Sequence, residues 1–189
     1  MKYLIPIASA LLLIVIAPMV SAASDEVRDH PGYVDFDEIS SVAGAEPLLE
    51  VSLNVSILRM LSRVIQYEDQ ETGDLLSRLI RVSVIVFASD EIDSDKLLHT
   101  ISETAYELDR KGWDRVMRMR EKEDKIDIYF KLSDDGELIH GITIMAIHET
   151  ESSVFVNFVG DFSPEDISRL GERYEIDELR DLDYGAAQR

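Results

Sequence analysis

Four segments in which apolar and polar side chains alternate follow one another between residues 115 and 159, and only short polar turns separate them. Their sequences are RVMRMRE, KIDIYFKL, LIHGITIMAI and SVFVNFV, and the turns are EKED, SDDGE and HETESS. Alternation with a period of two is typical of β-strands. Turns as short as these join antiparallel neighbours. The pattern therefore predicts a meander of four antiparallel strands.

The residues before the meander predict further strands mixed with helices. LLEVSLNV at residues 48–55 alternates like a strand, and the apolar run VSVIVFA at 82–88 is typical of a strand that is covered on both faces. Apolar stripes at helical spacing predict helices over residues 57–65, 75–80 and 94–111. The sequence therefore predicts an α+β fold: a two-layer sandwich with a mostly antiparallel sheet, helices packed mainly on one face, and the other face half solvated.

Residues 1–22 have the features of a cleaved secretory signal. Lys2 precedes a long apolar run, and small residues follow that run. Ser21 and Ala22 complete the predicted cleavage site, so that the mature chain begins at Ala23. The alternative is a membrane anchor, which needs about 20 unbroken apolar residues, whereas two prolines interrupt this segment. We expect an exported, periplasmic protein with no stable membrane anchor after signal cleavage.

Composition predicts how the chain divides into segments, and charge argues against nucleic acid as a partner. Residues 23–46 are expected to form an irregular acidic lead-in, residues 47–175 a single α+β domain, and residues 176–189 an acidic, frayed tail. The net charge of −19 repels nucleic acid, so nucleic-acid binding is not expected. The chain contains no cysteine and therefore no disulfide framework.

The stretch VFVNFVGDFSPEDISRL at residues 154–170 runs from a strand through Gly-Asp into a helix start, which raises the alternative of an anion site. Ser163 is a favourable N-cap, Pro164 suits the first helical position, and Asp166 stands where a capping-box acid belongs. An anion would meet the carboxylates of Asp161, Glu165 and Asp166, which oppose the attraction of the helix dipole. We therefore interpret the stretch as a structural corner.

No motif for catalysis or metal binding is recognisable. Cysteine nucleophiles are excluded, and no Gly-x-Ser-x-Gly motif occurs. His30, His99, His140 and His148 lack the short spacings of zinc-binding motifs. SDDGEL resembles a calcium loop only in its acids, and Asp-Gly is a common hairpin turn. We expect no catalytic residues, no metal site and no cofactor.

Several segments resemble the exported bacterial proteins of the domain of unknown function 4252 family. They are HPGYVDF at residues 30–36, LEVSLNVSILRML at 49–61, KGWDRVMRMRE at 111–121 and VFVNFVGDFSPEDISRLG at 154–171. The resemblance implies an envelope location and a single α+β domain. It implies no activity and carries over no catalytic or binding residues.

Three functions stay open at this point. The first is a non-enzymatic domain that binds a protein partner in the envelope, the second a hydrolase or transferase assembled from separate strands, and the third an accessory factor of envelope signalling. For the first function, the alternation of side chains along the first two strands of the meander predicts that Arg118, Arg120 and Tyr129 point away from the helices. Arginine and tyrosine are enriched at binding hot spots. These residues are the candidate partner surface.

Overall fold

In the computed structural model of this chain, the described residues are 25–43, 46–88, 93–121, 124–148, 150 and 152–173. Within them, six strands and six helices follow one another in the order α1 (Asp25–Arg28), α2 (Asp37–Ala43), β1 (Leu49–Asn54), α3 (Val55–Ile65), α4 (Gln70–Arg78), β2 (Leu79–Ala88), α5 (Ser94–Arg110), β3 (Asp114–Glu121), β4 (Asp124–Leu132), β5 (Ile139–His148), β6 (Ser152–Phe162) and α6 (Pro164–Arg173). None of these helices is long and apolar enough to cross a membrane.

The strands form one antiparallel sheet in the order β1-β2-β6-β5-β4-β3. Strands β3 to β6 are consecutive neighbours, which confirms the predicted meander and the α+β class. Strand β2 pairs with β6, and β1 pairs with β2. The sheet therefore ends in two edge strands, β1 and β3.

Helices lie on both faces of the sheet. Helices α3, α4 and α6 share one face, where the buried residues include Leu58, Phe130 and Ile167. Helix α5 and residues 34–39 cover the other face, so the expectation of a half-solvated face is wrong. Strand β4 shows that both faces are covered, because its consecutive residues Tyr129 and Phe130 point to opposite faces and are both buried. The residues buried on this face include Leu97, Ile101 and Leu108 of α5 itself, together with Trp113, Met145 and Phe155.

Part of the predicted lead-in, residues 34–39, contributes to the core. Val34, Phe36 and Ile39 are buried against the α5 face of the sheet. The fully buried Asn157 on β6 holds this segment in place, since its Oδ1 accepts from the Val34 amide at 3.0 Å and its Nδ2 donates to the Gly32 carbonyl at 3.1 Å. The predicted signal and the predicted tail lie outside the described residues.

The corner between β6 and α6 is a reciprocal capping box. The Asp166 amide donates to Oγ of Ser163 at 3.3 Å, and the Ser163 amide donates to Oδ2 of Asp166 at 2.8 Å. Asp166 also forms an ion pair with Arg78 at the end of α4. The interpretation of this stretch as a structural helix start is therefore confirmed.

Candidate functional site

A groove of about 320 Å³ runs between α5 and the edge strand β3, and we call it the arginine groove. Among the described residues, four basic and two acidic side chains line it: Arg115, Arg118, Arg120, Lys125, Asp109 and Asp127. Apolar side chains from α5 and β5 complete its wall, with Ile101, Ala105 and Ile147 among them. A locally basic groove thus lies on a chain with a net charge of −19.

Asp127 organises the centre of the arginine groove. Its side chain is only 5% exposed, and its two oxygens accept from two different arginines. Nε of Arg118 donates to Oδ1 at 2.9 Å, and Nη2 of Arg120 donates to Oδ2 at 2.5 Å. The hydrogen bond to Asp127 raises the pKa of the Arg118 guanidinium. The carboxylate therefore fixes both guanidinium groups, whose side chains are 47% and 42% exposed.

A β-bulge brings a third arginine to the same face. In the register of β3 with β4, Arg118 lies opposite Asp127, and Arg115 lies opposite Tyr129. A regular strand would turn residues 115 and 118 to opposite faces. The register shifts between Arg115 and Met117, so that one extra residue restores the common face. The bulge is the reason that three arginines converge on the groove.

The structure places Tyr129 beneath the groove instead of on its surface. The side chain is fully buried beneath α5, in the cluster that contains Leu108, Trp113 and Met145. It contacts the groove through Arg115, whose Nη1 donates to the tyrosine hydroxyl at 3.3 Å and whose guanidinium carbon lies 5.8 Å from the ring centroid. The prediction of Tyr129 as a surface contact is therefore wrong, and the reason is the packing of α5 on this face. Arg118 and Arg120 are exposed, but they face α5 and do not point away from all helices.

An exposed tyrosine that was not among the predicted surface residues lies at the arginine groove. Tyr106 on α5 lines the arginine groove and is 63% exposed. The guanidinium carbon of Arg110 lies 5.9 Å from its ring centroid. Its sequence position next to the apolar stripe of α5 was a usable signal, since residues that flank such a stripe lie at the rim of the buried face.

A second cluster lies near the start of β5, where His30, His140 and Asp161 come together. Nδ1 of His140 lies 2.7 Å from Oδ1 of Asp161, and the rings of His30 and His140 meet edge to face with centroids 5.8 Å apart. One possible ligand atom from each residue falls within 4.8 Å of the other two. Sequence spacing does not indicate this cluster, because its members come from three separate segments.

Backbone irregularity and close packing position these three residues. The register of β5 with β6 shifts between Ile139 and Gly141, so that Gly160 and Asp161 together face His140. Gly32 lies directly against the carbonyl of His140, and a Cβ at Gly32 would come within 1.8 Å of that oxygen. The Gly32 amide donates to Nδ1 of His30 at 3.1 Å. Burial lowers the pKa of His30, an effect that the nearby Asp161 carboxylate opposes, and the net result favours the neutral ring.

The other two histidines lie elsewhere. His99 is on the exposed side of α5, where its Nδ1 lies 3.2 Å from Oε2 of Glu103. His148 ends β5, and its Nε2 lies 3.4 Å from Oδ1 of Asp124. Neither is part of the cluster formed by His30, His140 and Asp161.

A comparison with protein families identifies the chain. The model of the domain of unknown function 4252 matches residues 43–170, which is more than half of the chain. The chain belongs to the domain of unknown function 4252 family. The matched range includes the whole arginine groove, together with His140 and Asp161, whereas His30 precedes it. No curated protein and no solved structure matches the chain.

Proposed function

We propose that this member of the domain of unknown function 4252 family is an exported periplasmic protein that binds a protein partner. The partner contributes an acidic segment, and the arginine groove is the docking site. The observation that carries this proposal is the gathering of Arg115, Arg118, Arg120 and Lys125 in one groove of a strongly acidic chain.

Charge complementarity selects the occupant. An acidic segment is repelled by most of this protein and attracted to the groove, so that the field favours one docking position. A guanidinium carries five N–H donors in a rigid fork and binds carboxylates in a bidentate manner. Asp127 holds Arg118 and Arg120 before a partner arrives, which lowers the entropy that binding must remove from these side chains.

The apolar wall and Tyr106 supply the second part of the recognition. Leu98 and Ile147, which are only partly buried, give the groove an apolar surface that side chains of a partner can cover. Tyrosine and arginine are the residue types enriched at interface hot spots, and they meet here. The partner segment is therefore expected to combine carboxylates with apolar side chains.

The same geometry favours binding over catalysis. Arginine keeps its proton in proteins and does not serve as a general acid or base at neutral pH. Both oxygens of Asp127 accept hydrogen bonds from arginines. The groove thus offers charged donors for recognition, and a hydrolase or transferase would require a titrating pair that these residues do not supply.

The export part of the proposal rests on residues 1–22 and has its own test. Cleavage before Ala23 gives a mature chain that lacks Lys2 and the apolar run. Intact-mass measurement on protein recovered from the periplasm is expected to give the mass of residues 23–189. A mass that retains residues 1–22, or recovery from the cytoplasm alone, contradicts export.

Site-specific photo-crosslinking in living cells tests the docking site. A benzophenone amino acid replaces Tyr106, which lies in the groove, and in a matched protein it replaces Tyr67, which is 93% exposed and follows α3. Both replacements exchange one exposed aromatic side chain for another. Peptide mapping then identifies the segment attached at each position.

The proposal predicts an adduct at position 106 that is absent at position 67, with an acidic segment attached. The adduct is expected to disappear in an Arg118→Gln/Asp127→Asn variant, which removes the buried charge together with one of its two arginines and leaves only the half-exposed Arg120 without that carboxylate. An adduct of equal yield at both positions, an attached segment without acidic residues, or an adduct that persists in the double variant contradicts the proposal.

A further inference from the structure

We propose that His30, His140 and Asp161 bind one divalent transition-metal ion of the zinc class. This inference is independent of the partner-binding function, since the cluster and the arginine groove lie towards opposite ends of β5. It also replaces the sequence-based expectation that the protein has no metal site.

The donor set selects the class of metal. Two imidazoles and one carboxylate are the ligands of zinc sites that keep a further coordination position open. Calcium and magnesium prefer sites built from oxygen ligands, so that two ring nitrogens disfavour them. The three residues therefore favour Zn²⁺ over the hard divalent ions.

The three donors are already close to the geometry that zinc requires. Their ligand atoms lie within 4.8 Å of one another. Zinc bonds to nitrogen and oxygen of about 2.0–2.2 Å bring tetrahedral donors to about 3.4 Å apart. Rotation of the side chains must therefore shorten the widest separation by up to about 1.4 Å.

Separate constraints hold each donor in place. The bulge in β6 directs Asp161 towards His140, and the close contact of Gly32 with the His140 carbonyl fixes the His30 loop over β5. Asn157 binds the Gly32 carbonyl and the Val34 amide from inside the core. Such support keeps the cost of ordering the ligands low, which is a requirement for tight metal binding.

An ion at this site competes with hydrogen bonds that the two rings already make. Nδ1 of His30 accepts from the Gly32 amide, and Nδ1 of His140 contacts Asp161. Metal binding requires a lone pair on one nitrogen of each ring, and a neutral imidazole has only one. Binding of the ion at His30 therefore replaces the hydrogen bond from the Gly32 amide, and binding at Asp161 replaces its contact with His140.

Calorimetric titration with Zn²⁺ tests the site on untagged protein, purified after expression of the full chain. Wild type is expected to bind one ion with a micromolar or tighter Kd. His140→Ala and Asp161→Asn are each expected to weaken binding at least about tenfold, because each removes one of three ligands. His99→Ala is the matched control, since His99 is 74% exposed and outside the cluster, and its Kd is expected to stay within about twofold of wild type.

Thermal unfolding separates loss of the site from loss of the fold. Asp161 is 54% exposed, so that Asp161→Asn is expected to keep its unfolding transition. Zn²⁺ is expected to raise the Tm of wild type and of His99→Ala equally, and to raise the Tm of Asp161→Asn by less at the same Zn²⁺ concentration. The absence of a 1:1 site in wild type, or equal Zn²⁺ affinity in wild type, His140→Ala and Asp161→Asn, overturns the proposal.

Discussion

Arg118 on the edge strand lies directly opposite Asp127 on its neighbour, and its Nε donates to Oδ1 of that buried carboxylate at 2.9 Å. Arg120 binds the second oxygen, so that one buried charge holds two half-exposed cations. A buried carboxylate requires such partners because its transfer from water is costly. The ion pairs of Asp127 therefore stabilise the β3–β4 hairpin and also fix the shape of the arginine groove.

Replacement of Asp127 tests this coupling. Asp127→Asn is expected to lower the free energy of unfolding by about 1–3 kcal/mol, since it removes the charge that two arginines share in a buried position. Urea denaturation measures the change. Asp134→Asn, in the exposed turn after β4, is the control and is expected to stay within about 0.5 kcal/mol of wild type. Equal midpoints for the two variants contradict the role given to Asp127.

Tyr129 and Tyr106 are expected to differ in how much they contribute to the stability of the fold. Tyr129→Ala removes a fully buried ring and is expected to cost about 3–5 kcal/mol of unfolding free energy. Tyr106→Ala removes an exposed ring and is expected to change stability by about 0.5 kcal/mol or less. Denaturant unfolding of both variants measures the difference. A small effect of Tyr129→Ala contradicts its position in the core beneath α5.

Asn157 is expected to be the main polar support of the N-terminal segment. Asn157→Ala removes buried hydrogen bonds to Val34, Gly32 and the Ile142 carbonyl, and we expect a loss of about 3 kcal/mol. Asn54→Ala, which removes the N-cap of α3, is the comparison and is expected to cost about 1 kcal/mol.

Hydrogen exchange shows where the effect of Asn157→Ala lies. Amides of residues 32–36 are expected to lose protection in this variant, while those of β4 keep it. Unchanged exchange in residues 32–36, or a stability loss no larger than that of Asn54→Ala, contradicts the anchoring role.

Local rules predicted the elements that depend on neighbouring residues. The meander followed from period-two alternation and short turns, and the α6 start followed from Ser163 and Asp166 at capping-box spacing. These features are decided within a few residues of sequence. They are the parts of the fold that the sequence predicts without knowledge of tertiary packing.

The wrong predictions of a half-solvated sheet face and of an exposed Tyr129 have the same cause, which is tertiary packing on that face. The alternation of Ile126, Ile128 and Phe130 with Asp127 and Tyr129 is equally consistent with a solvated second face and with one covered by another helix. Only the packing of α5 and residues 34–39 decides between them. The same limit applies to the bulge beside Arg115, because a strand pattern does not specify where an extra residue enters.

The cluster of His30, His140 and Asp161 was invisible for a related reason. Metal-binding motifs are recognisable when the ligands are neighbours on one helix or in one loop. Here the three residues come from a loop before α2 and from two strands, and a bulge in β6 brings Asp161 close to His140. Sequence spacing carries no information about such a convergence.

The most direct test of the central claim is the affinity of the arginine groove for the segment that crosslinks at position 106. A labelled synthetic peptide of that segment, titrated with purified protein, gives a Kd by fluorescence polarisation. The account predicts at least tenfold weaker binding by the folded Arg118→Gln/Asp127→Asn variant, and unchanged binding by Arg63→Gln on the exposed side of α3. Equal Kd values for wild type and the double variant contradict the arginine groove as the docking site.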